Sequence, residues 1–118
     1  GPDTCVYRGQ PADFVAKVSL AYSGDLQLEL IQPVSGESIY TEYLGKHGSG
    51  LHHTCFEVDD IEVAIRNAVA DGWKCVQQGS MAGLMEFAYL ERPGQSCIEL
   101  ARIGDDLKAM YAAMKGQA

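Results

Sequence analysis

The sequence has little positive charge and no long apolar run, and each of these absences excludes a class of protein. Nine lysines and arginines stand against sixteen aspartates and glutamates, which leaves a net charge of −7 over 118 residues. A nucleic-acid partner is not expected, because phosphate backbones are bound through basic surfaces. No apolar run approaches the roughly 20 residues that a membrane span needs, so no membrane partner is expected either. The chain shows no apolar leader of the signal-peptide type, and we expect a cytoplasmic protein.

The cysteines of the chain lack the spacing of a zinc site. None of them forms a C-x-x-C pair, so a zinc knuckle is not expected. All of them lie in apolar, strand-like segments, which favours buried free thiols over two disulfides and agrees with a reducing compartment. They are Cys5, Cys55, Cys75 and Cys97. With 47% apolar and 21% charged residues, the chain is expected to form one globular domain.

Hydrophobic periodicity predicts a domain of the α+β class. Alternating or apolar runs bounded by turn residues predict strands over 4–9, 14–22, 26–31, 51–58, 73–78, 85–91 and 96–102. Apolar residues at helical spacing predict helices over 35–44, 60–71 and 104–116, with Gly45 and Gly72 ending the first two. Pro33 is expected to end the strand that precedes the first helix.

The segment GLHHTCFEVDD, residues 50–60, has the most unusual polarity in the chain. Alternate side chains of a strand point to opposite faces. One face would carry Leu51, His53, Cys55 and Glu57, and the other would carry His52, Thr54, Phe56 and Val58. The first face is too polar for a half-buried strand, so we interpret it as the wall of a binding cavity. By the same alternation His52 faces the helix side, where a structural role is expected. Asp59 and Asp60 are placed to cap the helix that follows.

Two hairpins in the chain resemble each other and predict an internal repeat. The first contains Ala21-Tyr22, a turn and Leu28-Glu29-Leu30, and the second contains Ala88-Tyr89, a turn and Ile98-Glu99-Leu100. An offset of roughly 70 residues suggests two copies of one supersecondary unit. The second copy, 51–102, is predicted as a strand, a helix and three strands.

The first copy is incomplete in this interpretation. The counterparts of the opening strand and helix would lie before residue 1. Residues 3–33 therefore supply only the three later strands of the first module, residues 34–50 form a helical linker, and 104–116 form a C-terminal helix. The whole chain, 1–118, is expected to be one domain.

The stretch LELIQPVSGESIYTEYLGKHGSGLHHTCFEVDDIEVAI and the later SCIEL resemble the vicinal oxygen chelate superfamily of glyoxalases, bleomycin-resistance proteins and extradiol dioxygenases. They resemble in particular its methylmalonyl-CoA epimerase-like and glyoxalase-like members. Proteins of this family pair two βαβββ modules into an open, cupped mixed sheet around a metal cavity. The resemblance therefore implies an α+β domain of paired βαβββ modules, the first of which lacks its opening strand and helix.

The metal ligands of this family come from four strands, and three of them have counterparts in this chain. The resemblance assigns them to Glu29, His53 and Glu99. The fourth ligand, a histidine on the first strand, has no counterpart, and His47 lies in a loop after a helix and does not match. An imidazole with two carboxylates suits a divalent ion (Mn, Co, Ni, Fe, Mg or Zn) and leaves positions open for water and substrate. A metal-free site is the alternative, because one ligand is missing.

Other residues near this set are candidates for contacts with a small-molecule ligand. Gln27, in the first hairpin, can orient a ligand by hydrogen bonding. Cys55 and Glu57 share the face of His53. We interpret Cys55 as a cavity-lining thiol, and Glu57 either as a general base or as a solvated carboxylate. Tyr89 is either a platform for stacking on a ligand or a core tyrosine.

Two classes of function follow from the resemblance. The first is a metal-dependent lyase, epimerase or isomerase that acts on a small carbonyl or acyl-thioester compound, with Glu29 or Glu99 moving a proton next to a metal-polarised oxygen. The alternative is a metal-free protein that binds and sequesters a small ligand, as resistance-type members do. A third interpretation is that a longer protein supplies the missing strand.

The strand edge and apolar face left uncovered by that gap predict a homodimer, with the C-terminal helix filling the gap.

Overall fold

The computed structural model describes residues 4–117 of the chain. Over this range it contains eight strands and three helices. In chain order they are β1 (Cys5–Tyr7), β2 (Gln10–Pro11), β3 (Val15–Ser23), β4 (Leu26–Ser35), α1 (Ile39–His47), β5 (His53–Glu57), α2 (Ile61–Ala70), β6 (Lys74–Met81), β7 (Met85–Glu91), β8 (Cys97–Ile103) and α3 (Asp105–Gly116). The α+β class predicted from the sequence is confirmed.

The elements from β5 to β8 form one complete βαβββ unit. They belong to a sheet of six strands in the order β2-β1-β6-β7-β8-β5, in which β5 runs parallel to β8 and the other pairs are antiparallel. α2 packs on one face of this sheet, where Ile61 meets Ala88, Leu90 and Leu100. All four side chains are buried, so this contact forms a hydrophobic core and leaves the opposite face available for a site.

β1 joins this sheet through a close contact with β6. The two strands pair so that Cys5 lies opposite Gly79. A Cβ atom at position 79 would lie 2.8 Å from Sγ of Cys5 and from Cζ of Phe87, so only glycine allows this approach. The strand predicted over 73–78 was ended too early, because the glycine serves strand packing rather than a turn and β6 continues to Met81.

The hairpin of β3 and β4 forms a separate sheet of two strands. β1 pairs with β2 on one edge and with β6 on the other, so β1 offers no free edge to β3. β4 continues past Pro33, which lies opposite Ala16, and ends at Ser35. The prediction that Pro33 ends this strand was wrong, because a strand with an unpaired edge tolerates a residue that lacks an N–H group.

α1 begins and ends later than the sequence analysis predicts. Ser38 caps its start: the side-chain oxygen accepts from the backbone N–H of Thr41, and Oγ1 of Thr41 accepts from the backbone N–H of Ser38. The helix runs through Gly45 and ends before Gly48, whose φ of 70° favours glycine. Gly45 was therefore wrongly predicted as the stop, because a second glycine three residues later takes that role.

α3 links the hairpin to the larger sheet. Lys115 pairs with Asp25 in the turn of the hairpin, and Nζ of Lys108 lies 2.7 Å from Oε1 of Glu57 at the end of β5. Leu107 is buried at the start of the helix. None of the helices within residues 4–117 has the length and the apolar character that a membrane crossing requires.

Candidate metal centre

Three strands bring the three predicted ligands to one point. Glu29 comes from β4, His53 is the first residue of β5, and Glu99 lies in β8. Nε2 of His53 lies 3.1 Å from Oε1 of Glu99 and 3.5 Å from Oε1 of Glu29. The ligand atoms of the three side chains all lie within 4.8 Å of one another. Residues that are far apart in the sequence therefore form one compact set of a nitrogen donor and two oxygen donors.

The register of β5 and β8 explains how these two strands share the site. Their parallel pairing sets Cys55 opposite Glu99 and His53 opposite Cys97. Residues that lie opposite each other point to the same face of a sheet, so His53 and Glu99 are diagonal neighbours on that face. α2 covers the other face. The site therefore occupies the face that the sequence analysis identified as unusually polar.

The two carboxylates differ in exposure and act together on the histidine. The side chains of Glu99 and His53 are each 9% exposed, whereas that of Glu29 is 32% exposed. Burial by itself lowers the pKa of His53, but hydrogen bonds to Glu29 and Glu99, together with their negative charges, raise it to about 9. In the metal-free chain at neutral pH, His53 is therefore an imidazolium held between two carboxylates. A divalent ion held by these three side chains would have to displace the proton on Nε2.

His52 lies beside this site, although alternation predicted the opposite face. β5 begins at His53, so His52 precedes the strand and does not follow its alternation. Nδ1 of His52 lies 2.8 Å from Nδ1 of His53. Burial and the positive charge of His53 lower the pKa of His52 to about 4, so its ring is neutral at neutral pH. The predicted orientation was wrong because the strand starts two residues later than the sequence pattern indicates.

Tyrosine rings enclose the two histidines. Tyr40 and Tyr43, both on α1, meet the ring of His52 edge-on, with ring centroids 5.5 and 5.2 Å away. The ring centroid of Tyr89 lies 4.9 Å from that of His53, and the hydroxyls of Tyr40 and Tyr89 form a hydrogen bond of 2.8 Å. Tyr89 is only 3% exposed, so it occupies the core position that was one of its two expected roles.

The other predicted ligand contacts lie outside this enclosure. Nε2 of Gln27 donates to the hydroxyl of Tyr22 at 2.8 Å, and Gln27 is exposed whereas Tyr22 is half-buried. Glu57 is half exposed and forms an ion pair with α3. Cys55 is a free thiol, but it is exposed, so the prediction that it is buried was wrong. It lies next to Glu99 in the register of the strands, and desolvation together with the charge of that carboxylate raises the pKa of its thiol, which keeps it protonated.

α3 contributes a residue that the sequence analysis did not assign to the site. Burial raises the pKa of Tyr111, and the negative charges of Glu29 and Glu99 raise it further, so its hydroxyl is within electrostatic range of the two carboxylates. Helical spacing marked Tyr111 as part of an apolar face. No signal in the sequence placed this face within electrostatic range of Glu29 and Glu99, because that depends on how α3 lies in the fold.

A cavity of about 340 Å³ opens next to His52. It lies between α1 and the segment that leads into β8. Its polar lining includes Lys46, His47, Gln95 and Ser96. Space for a small ligand is therefore present beside the histidine pair.

The sequence profile of the glyoxalase/bleomycin resistance protein/dioxygenase superfamily matches residues 4–89, which is more than half of the chain. The chain belongs to this superfamily. The resemblance that was inferred from the stretch LELIQPVSGESIYTEYLGKHGSGLHHTCFEVDDIEVAI and from SCIEL is thereby confirmed. Membership also agrees with the βαβββ unit from β5 to β8 and with the donor set on its open face.

Two relatives share a shorter segment with the chain. Over 43 residues it is 40% identical to the mitochondrial methylmalonyl-CoA epimerases of Mus musculus and Bos taurus. The match covers 36% of this chain and 24% and 25% of the two relatives. The chain thus spans about a quarter of the length of these relatives.

Proposed function

We propose that the chain is a metal-dependent epimerase, isomerase or lyase of the glyoxalase type that acts on a small carbonyl or acyl-thioester compound. The observation that carries this proposal is the convergence of Glu29, His53 and Glu99 within 4.8 Å. The superfamily to which the chain belongs typically binds a divalent metal. Similarity to methylmalonyl-CoA epimerases favours proton removal next to a thioester carbonyl over the other chemistries.

The donor set fits a divalent ion. One imidazole nitrogen suits Mn, Co, Ni, Fe or Zn, and two carboxylate oxygens suit Mn and Mg. Three protein ligands leave positions open for water and substrate. When bound, the ion supplies positive charge that polarises a carbonyl oxygen and stabilises the negative charge left by proton removal.

We assign different tasks to the two carboxylates because they differ in exposure. Glu99 is nearly buried and lies 3.1 Å from Nε2 of His53, so its task is to hold the imidazole and the ion. Glu29 is 32% exposed, so a substrate reaches its Oε1 more easily. We assign Glu29 to proton transfer at the substrate carbon next to the carbonyl. We also assign Tyr111, whose pKa is raised by burial and by the charge of Glu29, to excluding water from that carboxylate.

A metal-free binding protein is the second candidate, and one observation favours it. The imidazolium of His53 is neutralised by Glu29 and Glu99, so the three side chains satisfy one another without an ion. In this case the cavity next to His52 would hold a small ligand that is not converted.

Proton exchange with solvent tests the enzymatic proposal. An acyl thioester that carries one substituent at C2 is incubated in D2O with the protein and Mn²⁺, and loss of the C2 proton signal is followed by NMR. We expect exchange with the wild type, and exchange slower by about 100-fold or more with Glu29→Gln, because an amide cannot accept the proton. Glu62→Gln, on α2 at the other face of the sheet, is the matched control and keeps the wild-type rate. Binding of the thioester without exchange would overturn the proposal in favour of the binding protein.

We also propose that two copies of the chain associate through β4. Leu26, Leu28 and Leu30 alternate along β4 on the face opposite Glu29, and they are 60%, 47% and 68% exposed. In the repeat, the counterpart of Leu30 is Leu100, which α2 covers. Their exposure shows that α3 does not cover these leucines within one chain. An apolar row of this kind favours association, and a second copy is the partner that we propose.

A further inference from the structure

His52 has a geometry that the metal-ligand set alone does not explain. It is not one of the three converging ligands. Its Nδ1 nevertheless lies 2.8 Å from Nδ1 of His53, which is hydrogen-bonding distance. The two rings cross at 83°, with centroids 5.1 Å apart. Nε2 of His53 therefore faces the two carboxylates, and Nδ1 of His53 faces His52.

The direction of this hydrogen bond follows from the chemistry of an imidazole ligand. A metal-bound histidine is neutral and coordinates through one nitrogen, so the other nitrogen carries its ring proton. Nε2 of His53 faces Glu29 and Glu99 and is the coordinating nitrogen. Nδ1 of His53 then donates, and Nδ1 of His52 must accept. The partner on the second nitrogen fixes both the tautomer and the orientation of a ligand histidine.

We propose that His52 is a positioning residue, which accepts the Nδ1 proton of His53 and holds the imidazole with Nε2 directed at Glu29 and Glu99. This inference rests on the proposed metal site. It goes beyond that site because it assigns a task to a residue that is not itself a ligand.

The surroundings of His52 suit this task, because they restrict its ring. Tyr40 and Tyr43 meet it edge-on from α1, and Tyr89 lies 5.9 Å away on the sheet side. The hydrogen bond between the hydroxyls of Tyr40 and Tyr89 ties α1 to the sheet around the ring. Because the ring of His52 is already restricted, it loses little further conformational entropy when it accepts a hydrogen bond. It can therefore fix the orientation of the His53 ring. The capping box at Ser38 fixes the start of α1 and with it the position of Tyr40.

A pair of substitutions at position 52 separates hydrogen bonding from packing. His52→Asn keeps an acceptor oxygen close to the place of Nδ1, whereas His52→Phe keeps a ring in the aromatic enclosure and removes the acceptor. We expect His52→Phe to weaken Mn²⁺ binding by roughly 10- to 100-fold, as loss of a partner to a ligand histidine does, and His52→Asn to stay within about threefold of the wild type. His47→Phe is the control. His47 lines the same cavity as His52, but its ring packs on Tyr43 and does not contact His53. Mn²⁺ affinity is measured by calorimetry, with circular dichroism to confirm folding of each variant.

A second measurement needs neither a variant nor a metal. In the metal-free wild type with ¹⁵N-labelled imidazoles, we expect a scalar coupling between Nδ1 of His52 and Nδ1 of His53, which passes only through a hydrogen bond. Absence of that coupling, or equal Mn²⁺ affinity of His52→Phe and the wild type, would overturn the positioning role. If the wild type binds no Mn²⁺ while the coupling is present, the proposed metal function fails and the histidine pair stands on its own.

Discussion

At the scale of single residues, the chemistry of the site depends on how two carboxylates share one imidazole. Glu99 is buried, so solvent screens the interaction of its charge with His53 only weakly. Glu29 is partly in contact with solvent, which screens its charge more strongly. We expect Glu99→Gln to weaken Mn²⁺ binding by about 100-fold and Glu29→Gln by about tenfold, measured by calorimetry. Glu62→Gln serves again as the control. Equal losses for the two substitutions would show that burial does not set the strength of these ligands.

His53 makes the stability of the metal-free chain depend on pH. Its pKa in the fold is about 9 against an ordinary value of 6.5, because the lowering by burial is outweighed by hydrogen bonds to Glu29 and Glu99. Because the protonated ring is favoured in the fold, its contribution to the free energy of unfolding is fully present below about pH 6.5. That contribution is lost as the pH rises through about 9. With chelator present, we expect the free energy of unfolding to fall by about 2–3 kcal/mol between pH 7 and 10. Urea denaturation of His53→Gln, which lacks the titrating ring, should show a fall that is smaller by this amount, because thiols with a raised pKa such as Cys55 still titrate in it. An identical fall in both proteins would refute this origin.

The three converging residues could be predicted from the sequence, and their neighbours could not. Glu29 and Glu99 occupy the same place in the two copies of a repeat, and the GLHH motif identifies His53, so pattern and family were sufficient. His52 was misplaced because alternation holds only inside a strand, and β5 starts one residue after it. Tyr111 was missed because the effect of the carboxylates on its pKa depends on the path of α3 across the fold.

At the scale of elements, two glycines show how context decides what a residue does. Gly79 lies where β1 approaches β6, and a Cβ atom there would be 2.8 Å from the backbone oxygen of Thr4. Gly45 lies inside α1 with no atom within 4 Å of an added Cβ. We expect Gly79→Ala to lower the free energy of unfolding by about 1–3 kcal/mol through overpacking, and Gly45→Ala to raise it by up to about 1 kcal/mol through helix propensity. Urea denaturation measures both, and a Gly79→Ala protein as stable as the wild type would contradict the close contact between the strands.

The elements themselves were largely predictable, while their edges and partners were not. The spacing of apolar residues predicted α2 and β7 with nearly their observed ends. In each of these elements the apolar residues follow a single period, either that of a helix or that of a strand. Pro33 and Gly45 were predicted to end elements that continue through them. The separation of β3 and β4 from the larger sheet could not be read from periodicity, because it results from β2 taking the edge of β1.

At the scale of the whole molecule, the exposed row on β4 predicts the state of association. We expect the wild type to elute as a dimer in size-exclusion chromatography with light scattering at tens of micromolar. Leu28→Glu places a charge in the middle of the row and should give a monomer, because burying an unpaired carboxylate is costly. Leu51→Glu makes the same exchange at a leucine that is 85% exposed and lies outside the hairpin, and it should remain dimeric. A monomeric wild type would contradict the proposed association.

The fold as a whole brings one strand of a separate hairpin and two strands of the larger sheet to a single donor set. Titration of the metal-free wild type and of His53→Ala with Mn²⁺, followed by calorimetry and elemental analysis, tests this most directly. The proposed function predicts one ion per wild-type chain and an affinity lower by about 100-fold or more in His53→Ala, with His47→Ala equal to the wild type. A wild-type chain that binds no ion, or that binds it no more tightly than His53→Ala does, would contradict the metal centre.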